Sequence, residues 1–223
     1  GIWFPVATAN ALAGFDLNET TEEIVIAYNA SFDDWYFGTD GRCPADKIDF
    51  VQVILHEMCH GLGFLGSMAV EDGMGDWGFW SGPTVYDLYA ETGSGVKLTR
   101  YAHPSAALAG ALTSGDVYFS GPNAAAANGG ARPKLYCPSV WRPGSSYAHL
   151  DEIYNGTPNA MMTYSVSYGE SLHHPGALTL GLLADVGWTL GAAPLSVRLS
   201  VNGSHGPIGL NRGAPLDLRI SLA

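Results

Sequence analysis

The most informative hydrophobic pattern lies at residues 49–62, in the stretch DFVQVILHEMCHGLG. Steps of 100° per residue put Val51, Leu55, Met58 and Leu62 on one face, with Phe50 and Ile54 on a second flank. A helix apolar over so much of its circumference is a buried, central one. Asp49 is placed to cap its start, and Gly61 and Gly63 bracket its end. A second helix is predicted at 178–186, within ALTLGLLADVGW, closed by Gly187. Ile24-Val25-Ile26-Ala27-Tyr28 is a short, β-branched run that reads as a buried strand. Residues 64–148 are rich in Gly, Ala, Ser, Pro and Asn, so an extended, loop-rich insertion without a helix is expected there. At 195–201 and 216–222 the sequences LSVRLSV and LDLRISL alternate apolar and polar strictly, the mark of half-exposed strands. A tail of that size cannot bury a core by itself. It is expected to pack on the main domain or to open a β-sandwich.

Composition narrows the class. Ten Lys and Arg stand against 21 Asp and Glu in 223 residues, a formal charge of −11. Nucleic-acid partners select basic surfaces, so that class is excluded. Charged residues reach only 14 % and hydrophobics 47 %, which excludes a disordered chain. No apolar run approaches the ~20 residues of a membrane-spanning helix. The opening GIWFPVATAN has neither a basic start nor a cleavage pattern, so any signal peptide is expected to be gone already. Acidity, few lysines and small polar loops suggest an exported, monomeric protein. Four Asn-x-Ser/Thr sequons, at Asn18, Asn29, Asn155 and Asn202, carry no further weight as polar turns. Of the three cysteines none forms a CxxC, so a cysteine zinc site is ruled out. Cys43 and Cys137 each precede proline in loop-like contexts and are expected to pair, leaving Cys59 as a small buried hydrophobe.

His56-Glu57-Met58-Cys59-His60 carries the chemistry. Residues four apart share a helix face, so both imidazoles can reach one ion. Glu57 is turned by ~100° and points beside the ion, at a water. A shuffled chain of this composition would show the pattern roughly 0.008 times. Two imidazoles and a carboxylate on a largely apolar helix are costly to bury unless a metal compensates. Two neutral histidines holding zinc, with a carboxylate to take a proton from water, is the arrangement of zinc hydrolysis. A third ligand is still required. The compact slot six residues beyond His60 holds Gly66, leaving His103, His149, His173, His174, His205 and carboxylates such as Asp151 or Glu152. Glu71, Asp72 and Asp76 offer calcium ligands but lack the spacing of a calcium loop.

HEMCHGLGF, a distant His149 in SYAHLDE, then NAMMTY and a helix ending LADVGW resemble the metzincin clan of zinc endopeptidases. Within it the likeness is to leishmanolysin-type enzymes, which insert a long segment before the third histidine. The chain is also similar to bacterial secreted metalloproteases reading LHE-x-x-HGLGF, SHLDE, NALMT and LGLL-x-D-x-GW. The likeness runs over residues 32–188.

The resemblance implies an α+β, metzincin-like catalytic domain at 1–190 with a central active-site helix and a Met-turn, followed by the β-rich segment 191–223. It implies that His56, His60 and His149 hold one zinc ion, that Glu57 is the general base, and that Met162, with Met161 competing, forms the methionine turn beneath the metal. Tyr164 matches a tyrosine some members place near the zinc or the reacting carbonyl. The substrate would be a protein or peptide lying extended along an edge, with 24–28 the candidate. Only 55 residues precede His56, so the amino-terminal sheet is expected to be incomplete or small. The competing class is a non-catalytic, zinc-stabilised adhesion or binding module, which the β-like tail favours.

Overall fold

A computed structural model describes residues 1–78 and 82–190, and the backbone of two tail strands, Val197–Val201 and Leu218–Leu222. Its centre is the helix α2, Phe50–Gly61, preceded by the short helix α1, Val6–Ala13, and by the strands β1, Trp35–Tyr36, and β2, Ile48–Asp49, which pair in parallel. Asp49 ends β2 and caps α2, its carboxylate accepting the Gln52 N–H at 3.1 Å, as the sequence predicts. Phe50, Val51, Ile54, Leu55 and Cys59 are buried, with Met58 and Leu62 packed against the same core. Phe50 sits edge-on to three rings, those of Tyr28, Trp35 and Phe37, at centroid distances of 4.8, 5.1 and 4.9 Å.

The helix stops where the backbone must turn left-handed. Gly63 has φ +114°, and Phe64 N donates back to Cys59 O at 3.0 Å, closing the last turn. The carbonyl of Leu62 then takes two side-chain donors from distant elements, Thr8 Oγ1 at 3.0 Å and Trp188 Nε1 at 2.7 Å. Trp188 follows the helix α5, Gly176–Asp185, within two residues of the predicted bounds. Thus α1 and α5 both lock the end of α2.

Several expectations need correction. Residues 24–28 form no strand and pair with none among the described residues; Ile24, Ile26 and Tyr28 are half-buried while Val25 is 79 % exposed. Without a ladder partner this run is a rim, not a buried strand. The insertion is not helix-free: α3, Ala106–Leu112, and α4, Pro122–Ala127, form within it. They span two turns or fewer, too short to display a helical period, but each has a start signal. Ser105 Oγ accepts from Leu108 N at 3.0 Å, and Pro122 occupies the first turn of α4. The hairpin β3–β4, Ala69–Glu71 with Met74–Asp76, turns on Asp72-Gly73, both at positive φ. A second antiparallel pair joins β5, Ala90–Thr92, to β6, Val117–Phe119. The tail strands Val197–Val201 and Leu218–Leu222, β7 and β8, also pair antiparallel, while 195–196 and 216–217 lie outside the described residues.

All three cysteines are free, so the expected Cys43–Cys137 disulfide is not formed. Cys137 is buried in the core, whereas the Cys43 thiol faces the Pro44 and Lys47 carbonyls of its own turn. The result is a mixed helix and sheet chain whose sheets are all two-stranded among the described residues. None of its described helices is long and apolar enough to cross a membrane.

The closest helix pair is α4 against α5. A β-carbon at Gly181 would lie 2.7 Å from Asn123 O, so only glycine permits that approach. Asp185 then serves the start of α4 from the neighbouring helix, accepting Asn123 N, Asn123 Nδ2 and Ala124 N at 3.0, 2.8 and 2.9 Å. Asp185→Ala should lower stability by about 2 kcal/mol by orphaning the buried Ala124 N–H and the two Asn123 donors beside it, read as a lower urea midpoint with an unchanged m-value. A midpoint equal to wild type would contradict this role.

Candidate metal centre

His56 and His60 project from one face of α2, four residues apart. His149 arrives from a loop held between two neighbours. Its carbonyl accepts Tyr136 N at 2.9 Å, and Leu150 N donates to Met162 O at 2.8 Å, at a parallel bridge between Leu150 and Thr163. The single helical turn Ala160–Met162 is therefore bonded directly to the chain that carries His149.

Each imidazole is oriented by a backbone carbonyl. His56 Nδ1 donates to Met161 O, His60 Nδ1 to Phe64 O and His149 Nδ1 to Ser145 O, all at 2.7 Å. A carbonyl has no proton to give, so these contacts assign the proton to Nδ1 and leave Nε2 bare in each neutral ring. The three Nε2 atoms converge, at 3.1 Å for His56–His149, 3.1 Å for His56–His60 and 3.2 Å for His60–His149. Burial first, then the His56 imidazole, pushes His60 down to about 4. Burial with His60 and His56 alongside pushes His149 down to about 3. At neutral pH these two rings are uncharged, and their Nε2 lone pairs meet beside His56 Nε2.

A cation is the natural occupant of that point. Three nitrogens on a tetrahedral zinc ion at 2.0–2.1 Å stand about 3.3–3.4 Å apart, a few tenths of an ångström from the spacing here. Outer hydrogen bonds that fix the tautomer are the usual support of such ligands. Among the described residues this is the only group of three His, Cys, Asp or Glu side chains close enough to share an ion. Imidazole donors suit zinc, and also copper, iron and nickel.

Glu57 is half-buried beside the triangle and takes no hydrogen bond from the described residues. It lines several cavities beside α2. One, of about 630 Å³, is walled by His56, His60, His149, Met68 and Trp141. Another, of about 680 Å³, is lined by the rim 24–28. Tyr164 lines the first, but its hydroxyl donates to Glu152 at 3.0 Å, and its ring stacks on Tyr136 at 4.2 Å. Met162, the expected turn methionine, is fully buried; Met161 is the one whose carbonyl holds His56. Cys59 is buried, and burial pushes its thiol up to about 12, so it is inert packing.

The other sequence candidates lie elsewhere. His103 pairs with Asp76 at 3.1 Å and packs on Trp77. His173 bonds Asp49 at 2.9 Å, and His174 accepts Gly176 N at 3.0 Å. Asp151 pairs with Lys134 at 3.2 Å. Glu71, Asp72 and Asp76 are strung along the β3–β4 hairpin and do not converge on one point, so they form no calcium site. His205 lies outside the described residues. What the sequence did not disclose are the three carbonyls, of Met161, Phe64 and Ser145; every residue carries one, so no residue type marks them.

A family model described as SPBPB7E8-like matches residues 12–75, a stretch that contains α2 with His56, Glu57 and His60 and ends before His149. No match is found among curated proteins or among solved structures.

His149→Ala should weaken zinc binding by more than the ~10- to 100-fold typical of losing an outer hydrogen bond, measured by competition with a chromophoric chelator. His103→Ala should leave binding unchanged. Equal zinc affinity for His149→Ala and wild type would contradict the three-histidine site.

Proposed function

We propose that this protein is a zinc-dependent endopeptidase of metzincin-like build, working outside the cell as its acidity and scarcity of lysine suggest. The observation that carries the reading is the triangle of bare nitrogens with Glu57 beside it in an open cleft. A purely structural zinc site is closed by four protein ligands, whereas a catalytic one has three and keeps a position open. Three histidines facing a cavity of about 630 Å³ fit the second description. This weighs against a zinc-stabilised binding module.

Zinc, when bound, would polarise a scissile carbonyl and make water more acidic. The chain supplies the remainder. His56, His60 and His149 hold the ion, their orientation fixed by the Met161, Phe64 and Ser145 carbonyls. Glu57, unpaired among the described residues, accepts a proton from the attacking water and passes it to the departing amine. An extended peptide fits along 24–28, which has no ladder partner among the described residues and borders the cavity reaching Glu57 and His60. Tyr164, held by Glu152, is placed on the cleft wall to approach the reacting carbonyl if that bond releases.

Glu57→Gln should bind zinc as wild type does while casein hydrolysis falls at least ~10²-fold. Zinc chelation should abolish wild-type hydrolysis, and added zinc should restore it. A Glu57→Gln variant retaining more than about a tenth of wild-type turnover would rule out the general-base role.

A further inference from the structure

Gly66 stands where a compact zinc motif would carry its third histidine, and the structure shows what fills that place. A β-carbon at Gly66 would overlap the Tyr147 ring and lie 3.0 Å from Asp87 Oδ1. Tyr147 is fully buried and has φ +73°, a conformation an aromatic residue adopts only when its surroundings impose it. Those surroundings are specific. Its hydroxyl donates to Asp87 Oδ1 at 2.7 Å, its N–H to Tyr136 O at 2.6 Å, and its carbonyl accepts Tyr86 Oη at 2.9 Å. His149 follows two residues later.

Asp87 is also fully buried, with no cationic partner among the described residues. It is held instead by neutral donors from three directions. Its Oδ2 accepts Ser67 Oγ at 2.6 Å, Thr84 N at 2.6 Å and Thr84 Oγ1 at 2.9 Å, while Ser67 N bonds both oxygens at 3.1 and 3.2 Å. Ser67 belongs to the loop that leaves α2 through Phe64, whose carbonyl orients His60. One carboxylate therefore joins the loop that follows His60 to the loop that delivers His149.

We infer that Asp87 is a positioning residue for the metal centre: through the Tyr147 hydroxyl it fixes His149 against the His56–His60 pair, replacing by a buried clamp what a short-spaced motif achieves by sequence proximity. The inference rests on the zinc reading above. Any residue larger than glycine at 66 would expel the ring, so Gly66, Tyr147 and Asp87 form one unit.

The test measures zinc affinity by chelator competition, and the visible spectrum of the cobalt-substituted protein, for Tyr147→Phe, Asp87→Asn and Asp185→Ala. Tyr147→Phe keeps the ring and removes only the bond to Asp87. It should weaken zinc binding about 10- to 100-fold, the range for outer-sphere partners, and alter the cobalt spectrum. Asp87→Asn should do the same; should it fail to fold, Tyr147→Phe decides alone. Asp185→Ala removes a buried carboxylate at the α4–α5 contact, outside the clamp, and should lower thermal stability with neither metal effect. Zinc affinity of Tyr147→Phe within about tenfold of wild type, or an equal loss in Asp185→Ala, overturns the inference while leaving the zinc reading intact. Failure of the wild-type protein to bind zinc overturns both.

Discussion

Three imidazole Nε2 atoms, each ring donating its Nδ1 proton to a backbone carbonyl on its far side, face one another across 3.1–3.2 Å. Such lone pairs repel unless a cation lies between them, and burial disfavours relieving that by protonating His60 or His149. Much of the described fold can be understood as what holds this arrangement in place. Asp49 starts α2 in the right register, Gly63 ends it, and Phe64, one residue later, returns to orient His60. The Ala160–Met162 turn orients His56 on one side and supports the neighbour of His149 on the other.

The same economy explains the long separation between His60 and His149. A histidine delivered from 89 residues away has no local geometry to set its position. The structure compensates with buried polar bonds, in the Asp87–Tyr147 contact and in the backbone bonds linking Tyr136 to Tyr147 and His149. Such networks are costly when half made, which ties the integrity of the site to the packing of the whole insertion. The small sheets fit this view: among the described residues each pairs only two strands, and α2, α3 and α5 bury more of the core.

Where the chain states its structure locally, the sequence was readable. The α2 boundaries, its cap and its buried faces follow from Asp49, the apolar spacing and Gly63, because all act within a few residues. The α5 helix and the tail strands were legible for the same reason. Ile24-Val25-Ile26 misled because β-branched residues report a preference for extended backbone, not the presence of a partner strand. α3 and α4 were hidden by their brevity. The cysteine pairing failed because proline after each cysteine says nothing about distance. At the site, the helical histidines and Glu57 were visible by spacing, and His149 came from resemblance; the carbonyls and the Asp87 clamp exist only in three dimensions.

The most direct test of the account is an anomalous-scattering map collected at the zinc edge from crystals of the protein grown with zinc. It should show one peak bonded to Nε2 of His56, His60 and His149, at about 2.0–2.1 Å each, with Nδ1 of all three rings still on carbonyls. A peak held by other side chains, or a well-ordered histidine triangle with no peak at its centre, would contradict it.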